Sequence, residues 1–314
     1  KDEEQKFTLL SDKIEYLKNL EKTVATGNVK LNSSSQNIII KSEKITYEKN
    51  RNEFYTEGLT EANIKSKYLF NSRDLNFNKN EMRLFSKKKT TIKDDNNSFY
   101  ELSKFDYHIE NELLKAENLT VIRNSNLTVN ENDRYFFESG FFDLKNNNFT
   151  TGPTKIYLKK NTFDRSENDP RIYGVSSNYK DGVTSIKKAS FTSCNKNDKC
   201  PPWSLQASEI KHDTNKKQLI YDNSIIKFYD IPIFYFPKFF HPDPTVKRQT
   251  GLLLPKINNS NVLGSSLNVP YFHIISENKD LTFSPILFSK NIKTLQTEYR
   301  QKNQNSSFIA DFGI

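Results

Sequence analysis

Cysteine is nearly absent from this sequence, which limits the covalent links the chain can form. Its 314 residues include two cysteines, one methionine, one tryptophan and nine glycines. Cys194 and Cys200 stand in a C-x5-C spacing that zinc sites do not use, and His212 is the only further ligand nearby. Three interpretations stay open: a disulfide, two buried thiols, or a labile metal site. We favour a disulfide formed in an oxidising compartment, between these two or with other cysteines.

Long apolar runs are missing as well. No stretch reaches the roughly 18 apolar residues of a membrane-spanning helix, and no signal peptide is visible at the start. Hydrophobic residues make up 35% of the chain, which is low for a globular domain, and the mean hydropathy is −0.76. The last residues, 306–314, follow a strand pattern, so we expect the chain to be truncated there.

Acidic residues are outnumbered, with 38 against 47 Lys and Arg, giving a net charge of +9. Such an excess suits nucleic acid, an anionic membrane or an anionic glycolipid. The densest basic run is only Lys87–Lys89. We therefore expect no nucleic-acid partner and regard most of these lysines as a solvated surface.

Aromatic residues reach 13%, which argues against disorder, and they form a weak repeat. An apolar-x-aromatic triplet begins at residues 14, 45, 75, 105 and 135. Side chains alternate faces along a strand, so Tyr16, Tyr47, Phe77 and Tyr107 are predicted to share one face. Asn- and Asp-rich turns lie between the triplets, and helix signals are nearly absent. The pattern predicts an all-β stack of short strands: a solenoid, jelly roll or sandwich.

The chain changes character at residues 228–255, a stretch rich in proline and aromatic side chains. We predict a first domain over 1–227, with a cysteine-bearing segment at 191–213, a linker over 228–255, and a second region over 256–314. Four longer strands are expected in that region, at 263–274, 281–288, 294–301 and 307–314. Their weak alternation is typical of outer-membrane barrel strands. Four strands cannot close a barrel, so we expect most of it to lie beyond Ile314.

Two segments carry a resemblance to a known family. They are IPIFYFPKFFHPDPTVKRQTGLLLP, ending at Pro255, and FTSC…CPPWSLQASEIKHD, from Phe191 to Asp213. Both resemble the outer-membrane lipopolysaccharide-assembly family (LptD, also OstA or Imp), and the cysteine pair most resembles its alphaproteobacterial members. The repeat is similar to the OstA-type jelly roll of stacked antiparallel strands around an open apolar groove.

The resemblance implies transport of lipopolysaccharide into the outer leaflet of the outer membrane. A periplasmic jelly roll would receive the lipid from an OstA-type bridge protein joined by β-augmentation at the edge strand 6–14, unless that edge is capped. The lipid would pass to a barrel plugged by an LptE-type lipoprotein. No catalytic residue, cofactor or metal is implied.

A lipid groove needs an apolar lining, because burying acyl chains contributes about 0.8 kcal/mol per CH2. An ordinary core would show the same alternation, so both interpretations stay open at each position. A charge at Ile45 or Leu75 is expected to impair lipid transfer more than folding. The candidate lining residues are Ile14, Tyr16, Val29, Leu31, Ile38, Ile40, Ile45, Tyr47, Leu75, Phe77, Phe105 and Tyr107.

Two prolines are implied to form a lateral gate. Pro270 and Pro285 match family prolines in the first two barrel strands, where a missing N–H would weaken the seam with the last strand. They could equally be edge or turn prolines. Lys247 and Arg248 could contact lipid phosphates or anchor the chain at the membrane boundary, and both interpretations stay open.

Two other classes of function compete with lipid export. One is a structural or adhesive surface protein built of β repeats, but the 232–255 block would then be unexplained. The other is a β-solenoid enzyme acting on polysaccharide, which needs paired carboxylates on one face. Asp and Glu are scattered here, so this is the less favoured alternative.

Overall fold

The structure is a computed structural model that describes residues 7–122, 132–159, 168–195, 201–242, 246, 248–253 and 255–314. Its contacts divide the chain into two compact units, Lys1–Phe240 and His241–Ile314. Within the described ranges, no helix is long and apolar enough to cross a membrane.

The first unit is built from strands and one 3-10 turn, Lys18–Leu20. In chain order its strands are β1 (Thr8–Leu10), β2 (Lys13–Leu17), β3 (Lys22–Ser33), β4 (Ile38–Glu48), β5 (Glu53–Ile64), β6 (Tyr68–Arg73), β7 (Asn76–Asn78), β8 (Arg83–Ser86), β9 (Thr90–Asp94), β10 (Phe99–Leu102), β11 (Lys104–His108), β12 (Leu113–Ile122), β13 (Arg134–Asp143), β14 (Asn148–Thr151), β15 (Thr154–Tyr157), β16 (Arg171–Gly174), β17 (Ser176–Lys180), β18 (Val183–Thr192), β19 (Trp203–Asp213), β20 (Gln218–Phe228) and β21 (Ile231–Pro242).

These strands form two layers of one folded antiparallel ladder. Long strand β5 pairs with β6 through residues 59–64 and with β7 through residues 53–55. The division recurs where β12 meets β10 and β11, and where β13 meets β15 and β14. We call β1, β6, β9, β10, β15 and β16 layer A, and β2, β7, β8, β11, β14 and β17 layer B; the long strands cross between them. The predicted all-β jelly roll of stacked antiparallel strands is confirmed.

Residues with left-handed backbone interrupt the ladder at the bend between the layers. Gly58 (φ 86°), Asn118 (50°), Lys188 (47°) and Asn223 (48°) are each skipped in the pairing of their strands, and at Gly58 the register also shifts, which makes a β-bulge. A bulge of this kind bends a strand. Glycine and asparagine tolerate left-handed backbone better than other residues. The polar Asn and Gly positions between the apolar segments therefore set where the sheet folds over.

Small hydroxyl side chains fill the inside of this bend. Thr60 Oγ1 donates to Thr56 Oγ1 over 2.7 Å, and the backbone N–H of Leu75 donates to the same Thr56 oxygen over 2.8 Å. The hydroxyls of Ser72 and Thr90 are 2.7 Å apart. The Thr56 oxygen thus serves as the acceptor that the buried Leu75 N–H needs. A second hydroxyl cluster of this kind consists of Thr151, Thr154 and Ser177.

Thr56→Val is expected to destabilise the first unit by about 1–3 kcal/mol, since it leaves the buried Leu75 N–H without its acceptor. Urea denaturation measures the change. Thr56→Ser is the matched control, because it keeps the hydroxyl and removes one methyl group, worth about 0.8 kcal/mol. Equal losses in the two variants would contradict a role for the hydroxyl.

Apolar side chains fill the space between the layers. One buried cluster runs from Ala25 to Phe142, and a second runs from Ile156 to Tyr221. The layers touch: the rings of Phe70 in β6 and Phe105 in β11 have centroids 5.3 Å apart. Side chains therefore close this interior over most of the stack.

The predicted linker is only partly a linker. Its first half is strand β21, which belongs to the large sheet beside β20. Tyr221 stacks on Phe239 with ring centroids 4.5 Å apart, and Ser224 donates to the Phe236 carbonyl over 3.2 Å. The first compact unit consequently ends at Phe240, beyond the predicted boundary at 227. Pro232 and Pro237 are accommodated because β21 lies at the end of the stack.

The second unit is an antiparallel sheet. Its strands are β22 (Gly251–Leu252), β23 (Lys256–Ser260), β24 (Gly264–Asn268), β25 (Tyr271–Ser276), β26 (Lys279–Phe288), β27 (Lys293–Lys302) and β28 (Ser307–Gly313). β24 and β25 lie along β26, followed by β27 and β28, while β22 and β23 flank them on the other side. The four predicted strands correspond to β24 with β25, β26, β27 and β28. The strand at 251–260 was not predicted.

The two faces of this sheet differ in polarity. In the register of β26 with β27 and β28, one face is mainly apolar but also carries Lys279, Lys293, Thr297 and Gln301; its apolar residues are Leu281, Phe283, Pro285, Leu287, Leu295, Tyr299, Phe308, Ala310 and Phe312. The other face is mainly polar but also carries Ile286 and Ile309; its polar residues include Asp280, Thr282, Ser284, Gln296, Glu298, Arg300 and Asp311. A sheet with one apolar and one polar face is the pattern of outer-membrane strands.

Candidate functional site

The predicted lining residues lie mostly in the closed interior of the jelly roll. Tyr47 is half-buried and stacks on Phe54, with centroids 4.5 Å apart. Nine others are at most 2% exposed: Val29, Leu31, Ile38, Ile40, Ile45, Leu75, Phe77, Phe105 and Tyr107. The shared face predicted for Tyr47, Phe77 and Tyr107 is consistent with this burial.

Ile14 and Tyr16 depart from that pattern, with 52% and 57% exposure. Ile14 pairs with fully buried Ala25, so it has the inward orientation. Its strand β2 lies in the last row of the stack, however, and no further row of the described residues covers it. Together with Leu10, Leu17 and Leu20, these side chains make the β1–β2 end an exposed apolar edge. Residue 6, the start of the predicted edge strand, lies outside the described residues.

An ion-pair cluster joins the two layers at the mouth of the interior, opposite the bend. Glu112, in the β11–β12 turn of layer B, accepts from Lys65 Nζ over 2.9 Å and from Lys67 Nζ over 3.2 Å. Both lysines lie in the β5–β6 turn of layer A, on either side of Ser66. The Lys65 hydrogen bond is the main cause that holds the pKa of Glu112 below its usual range.

Two tyrosines lie directly under this cluster. Tyr68 and Tyr107 have ring centroids 6.1 Å apart across the layers, and Lys67 Nζ is 5.0 Å from the centre of the Tyr68 ring. The Tyr107 hydroxyl is buried and has no hydrogen-bond partner among the described residues. Burial raises the pKa of both phenols. The mouth thus combines an apolar interior with the ion-pair cluster above it. Nothing in the sequence indicated this cluster, because Lys65 and Glu112 are 47 residues apart.

The cysteine-bearing segment is only partly described. Cys194 is half-buried, and its Sγ is 3.7 Å from the Trp203 carbonyl. Arg171 Nη1 donates to the Cys194 carbonyl over 2.5 Å. Cys200 lies outside the described residues, so the predicted disulfide stays a prediction.

Three prolines align across adjacent strands of the second unit. β24 and β25 meet β26 in one register, which places Val269–Pro270 opposite Ser284–Pro285. Pro255 lies in the break between β22 and β23, and the neighbouring Leu253 N–H donates to the Pro270 carbonyl over 2.8 Å. The prolines are fifteen residues apart in sequence. Because proline has no N–H, this row interrupts the ladder.

Pro270 and Pro285 lie on other strands of the second unit than the resemblance implied. Pro270 and Pro285 were expected in the first two strands of the second region. The sheet begins one strand earlier, at Gly251–Ser260, so they lie on its second and third strands, and Pro255 lies on the first. The reason is that the short β22 and β23, separated by Pro255, give no clear alternation in the sequence.

Asp280 organises the polar face of the second unit. It is 7% exposed and accepts from Arg248 Nη2 over 2.5 Å and from Arg300 Nε over 2.7 Å. Both guanidinium groups lie about 6 Å from the centre of the Phe272 ring. Arg248, considered above as a phosphate ligand or a membrane anchor, is therefore held against this face of the sheet by its ion pair with Asp280. Lys247 lies outside the described residues.

These two units define a class of protein: a two-layer jelly roll with an apolar interior, joined in one chain to an antiparallel sheet with one apolar face. Curated proteins with similar sequences then specify it further. LPS-assembly protein LptD of Polaromonas sp. is 34% identical over 116 residues, covering 36% of this chain and 14% of the relative. LptD of Nitrosomonas europaea is 25% identical over 232 residues, covering 68% of this chain and 32% of the relative. The chain carries an LptD-like region, as the resemblance predicted.

The remaining comparisons add little. No family model matches the chain. The crystal structure of LptH, an LptA-homologous periplasmic component of the lipopolysaccharide transport device of Pseudomonas aeruginosa, superposes with a TM-score of 0.32 and 14% identity, covering 37% of this chain and 85% of LptH. The chain spans about a seventh to a third of the length of the two LptD relatives described here.

Proposed function

We propose that this chain is part of a lipopolysaccharide-export protein of the outer membrane and has no catalytic role. The observation that carries the proposal is the combination, in one LptD-like chain, of an apolar jelly-roll interior and a sheet with one apolar face. Lipopolysaccharide joins acyl chains to a charged, sugar-rich head. The interior suits the acyl chains, and the apolar sheet face suits a lipid bilayer. The first unit would lie in the periplasm.

The lipid path would run along the interior between layers A and B. The twelve predicted lining residues support this path, because ten of them are buried or half-buried between the layers. Side chains fill that space, so acyl chains would have to replace ring contacts such as Phe70–Phe105. Loading would therefore require the two layers to separate at the mouth.

Two partners and a lateral gate follow from the same proposal. The exposed β1–β2 edge would pair with an OstA-type bridge protein, since its last row offers backbone groups and apolar side chains. The second unit would be the start of a barrel that holds an LptE-type plug. The aligned prolines would weaken this part of the barrel as a lateral gate, with Pro255 joining Pro270 and Pro285.

Photocrosslinking in cells that make lipopolysaccharide tests the path. A photoreactive phenylalanine at Phe77 or Phe105 is expected to form a lipopolysaccharide adduct, because both rings face the interior. These positions suit the probe better than Ile45 or Leu75, where an added ring would overpack the core.

Phe141 is the matched control, an aromatic residue of the same jelly roll that is 63% exposed. Its adduct yield should be at least about tenfold lower, since acyl chains avoid water. Adducts of equal yield at all three positions, or none at Phe77 and Phe105, would show that lipid does not use this interior.

A further inference from the structure

The mouth cluster is built to hold two lysines in fixed positions. Lys65 and Ser66 both have φ of 55°, the paired left-handed conformation of a tight hairpin turn. The Lys65 N–H donates to the Asn37 carbonyl over 2.7 Å, which ties this turn to the preceding one. Lys67 follows immediately. Both ammonium groups therefore project from a rigid turn of layer A toward layer B.

Glu112 bridges these two ammonium groups from the other layer. Its φ is 53°, and its backbone carbonyl accepts from the Leu144 N–H over 3.0 Å, so its turn is also fixed. The carboxylate is 14% exposed, whereas the lysines are 34% and 38% exposed. The lysines therefore remain accessible from solvent while the carboxylate between them is covered.

We propose that Glu112, Lys65 and Lys67 form a clasp that closes the mouth of the interior, and that a phosphate group of the transported glycolipid opens it by replacing Glu112 on the two lysines. The proposal rests on the proposed function for the identity of the lipid. It adds the site where the charged head is recognised and links recognition to opening. The acyl chains would then enter beneath, where Tyr68 and Tyr107 form the upper contact between the layers.

Charge favours the exchange. A phosphate monoester carries about 1.5 to 2 negative charges and three acceptor oxygens at pH 7. Glu112 offers one charge and two oxygens to the same two ammonium groups. A phosphate that reaches the lysines from solvent can thus satisfy them better than the carboxylate. A neutral lipid has no group that could take its place.

Binding of lipid A to the full chain in detergent separates the role of Glu112 in closing the mouth from the role of Lys65 and Lys67 in binding phosphate. Glu112→Gln removes the competing charge, so it should bind bisphosphorylated lipid A about three- to fivefold more tightly than wild type. Lys65→Gln/Lys67→Gln loses the phosphate ligands and should bind it about fivefold or more weakly. With dephosphorylated lipid A, both variants lose only the clasp and should bind about equally, and more tightly than wild type.

Glu117→Gln is the matched control, since Glu117 lies on the β12 strand that follows the Glu112 turn and forms an exposed pair with Lys104 of β11 over 2.7 Å. It should bind both lipids as wild type does. A Lys65→Gln/Lys67→Gln variant whose affinity shifts in the same direction with both lipids would overturn phosphate recognition.

Hydrogen exchange gives a readout that needs no lipid. Amides of β6 and β11 should exchange at least about threefold faster in Glu112→Gln than in Glu117→Gln, because the layers open more often. Unchanged exchange would overturn the clasp. If wild type bound neither lipid while exchange rose as expected, the proposed function would fail and the clasp would stand.

Discussion

Leu75→Asp is expected to lower the free energy of unfolding of the first unit by at least about 4 kcal/mol, or to abolish cooperative unfolding. Leu75 is fully buried, so a carboxylate there would lose its hydration without gaining a partner. Urea denaturation can be followed by the fluorescence of Trp203, the single tryptophan, which packs against the second core cluster.

Leu59→Asp is the control for this experiment. Leu59 lies in neighbouring β5 but is 70% exposed at the bend, so its change should stay within about 0.5 kcal/mol. From the sequence, a charge at Ile45 or Leu75 was expected to affect lipid transfer more than folding; full burial reverses that expectation. A Leu75→Asp protein as stable as wild type would mean that the interior is a water-filled groove rather than a packed core.

Asp280→Ala is expected to cost the second unit about 2–3 kcal/mol. Removing one partner of a buried ion pair typically costs about 3–5 kcal/mol, because the remaining charge is left uncompensated. Here the Arg248 and Arg300 side chains are 36% and 47% exposed, so water compensates part of the loss. The melting temperature of the detergent-solubilised chain measures the effect.

Glu298→Ala provides the comparison for Asp280. Glu298 contacts Arg300 at 3.3 Å but is 39% exposed, so its removal should cost less than about 1 kcal/mol. Similar melting temperatures for the two variants would show that Asp280 does not organise this face. A loss confined to Asp280→Ala would support a structural role for Arg248 as its partner, rather than a role as a lipid-phosphate ligand.

The sequence predicted which segments form strands better than it predicted where the strands and the linker begin and end. The triplets at Ile45 and Phe105 lie in β4 and β11, and the longer segments at 281–288 and 294–301 became β26 and β27. These predictions succeeded because strand alternation is a local property with a period of two residues. The linker was predicted too long because proline and aromatic content does not distinguish an end strand such as β21 from a connection.

The candidate site was predicted only in part. Alternation identified inward residues such as Leu31 and Phe77, but it could not show that Tyr16, with the same pattern, lies in an uncovered end row. The Lys65–Glu112 contact gave no sequence signal at all. Charged residues in polar turns look like ordinary solvated surface, and only the pairing of distant strands brings these two together.

Sequence alone predicts an all-β chain, the residues that alternate inward and outward, and the Asn- and Asp-rich turns between its strands. Those properties depend on neighbouring residues. The tertiary structure decided that side chains close the interior, that Glu112 joins the layers at its mouth, and that Pro255, Pro270 and Pro285 form one row. Each of these depends on strand register and on packing between layers, which arise from contacts between residues far apart in the chain.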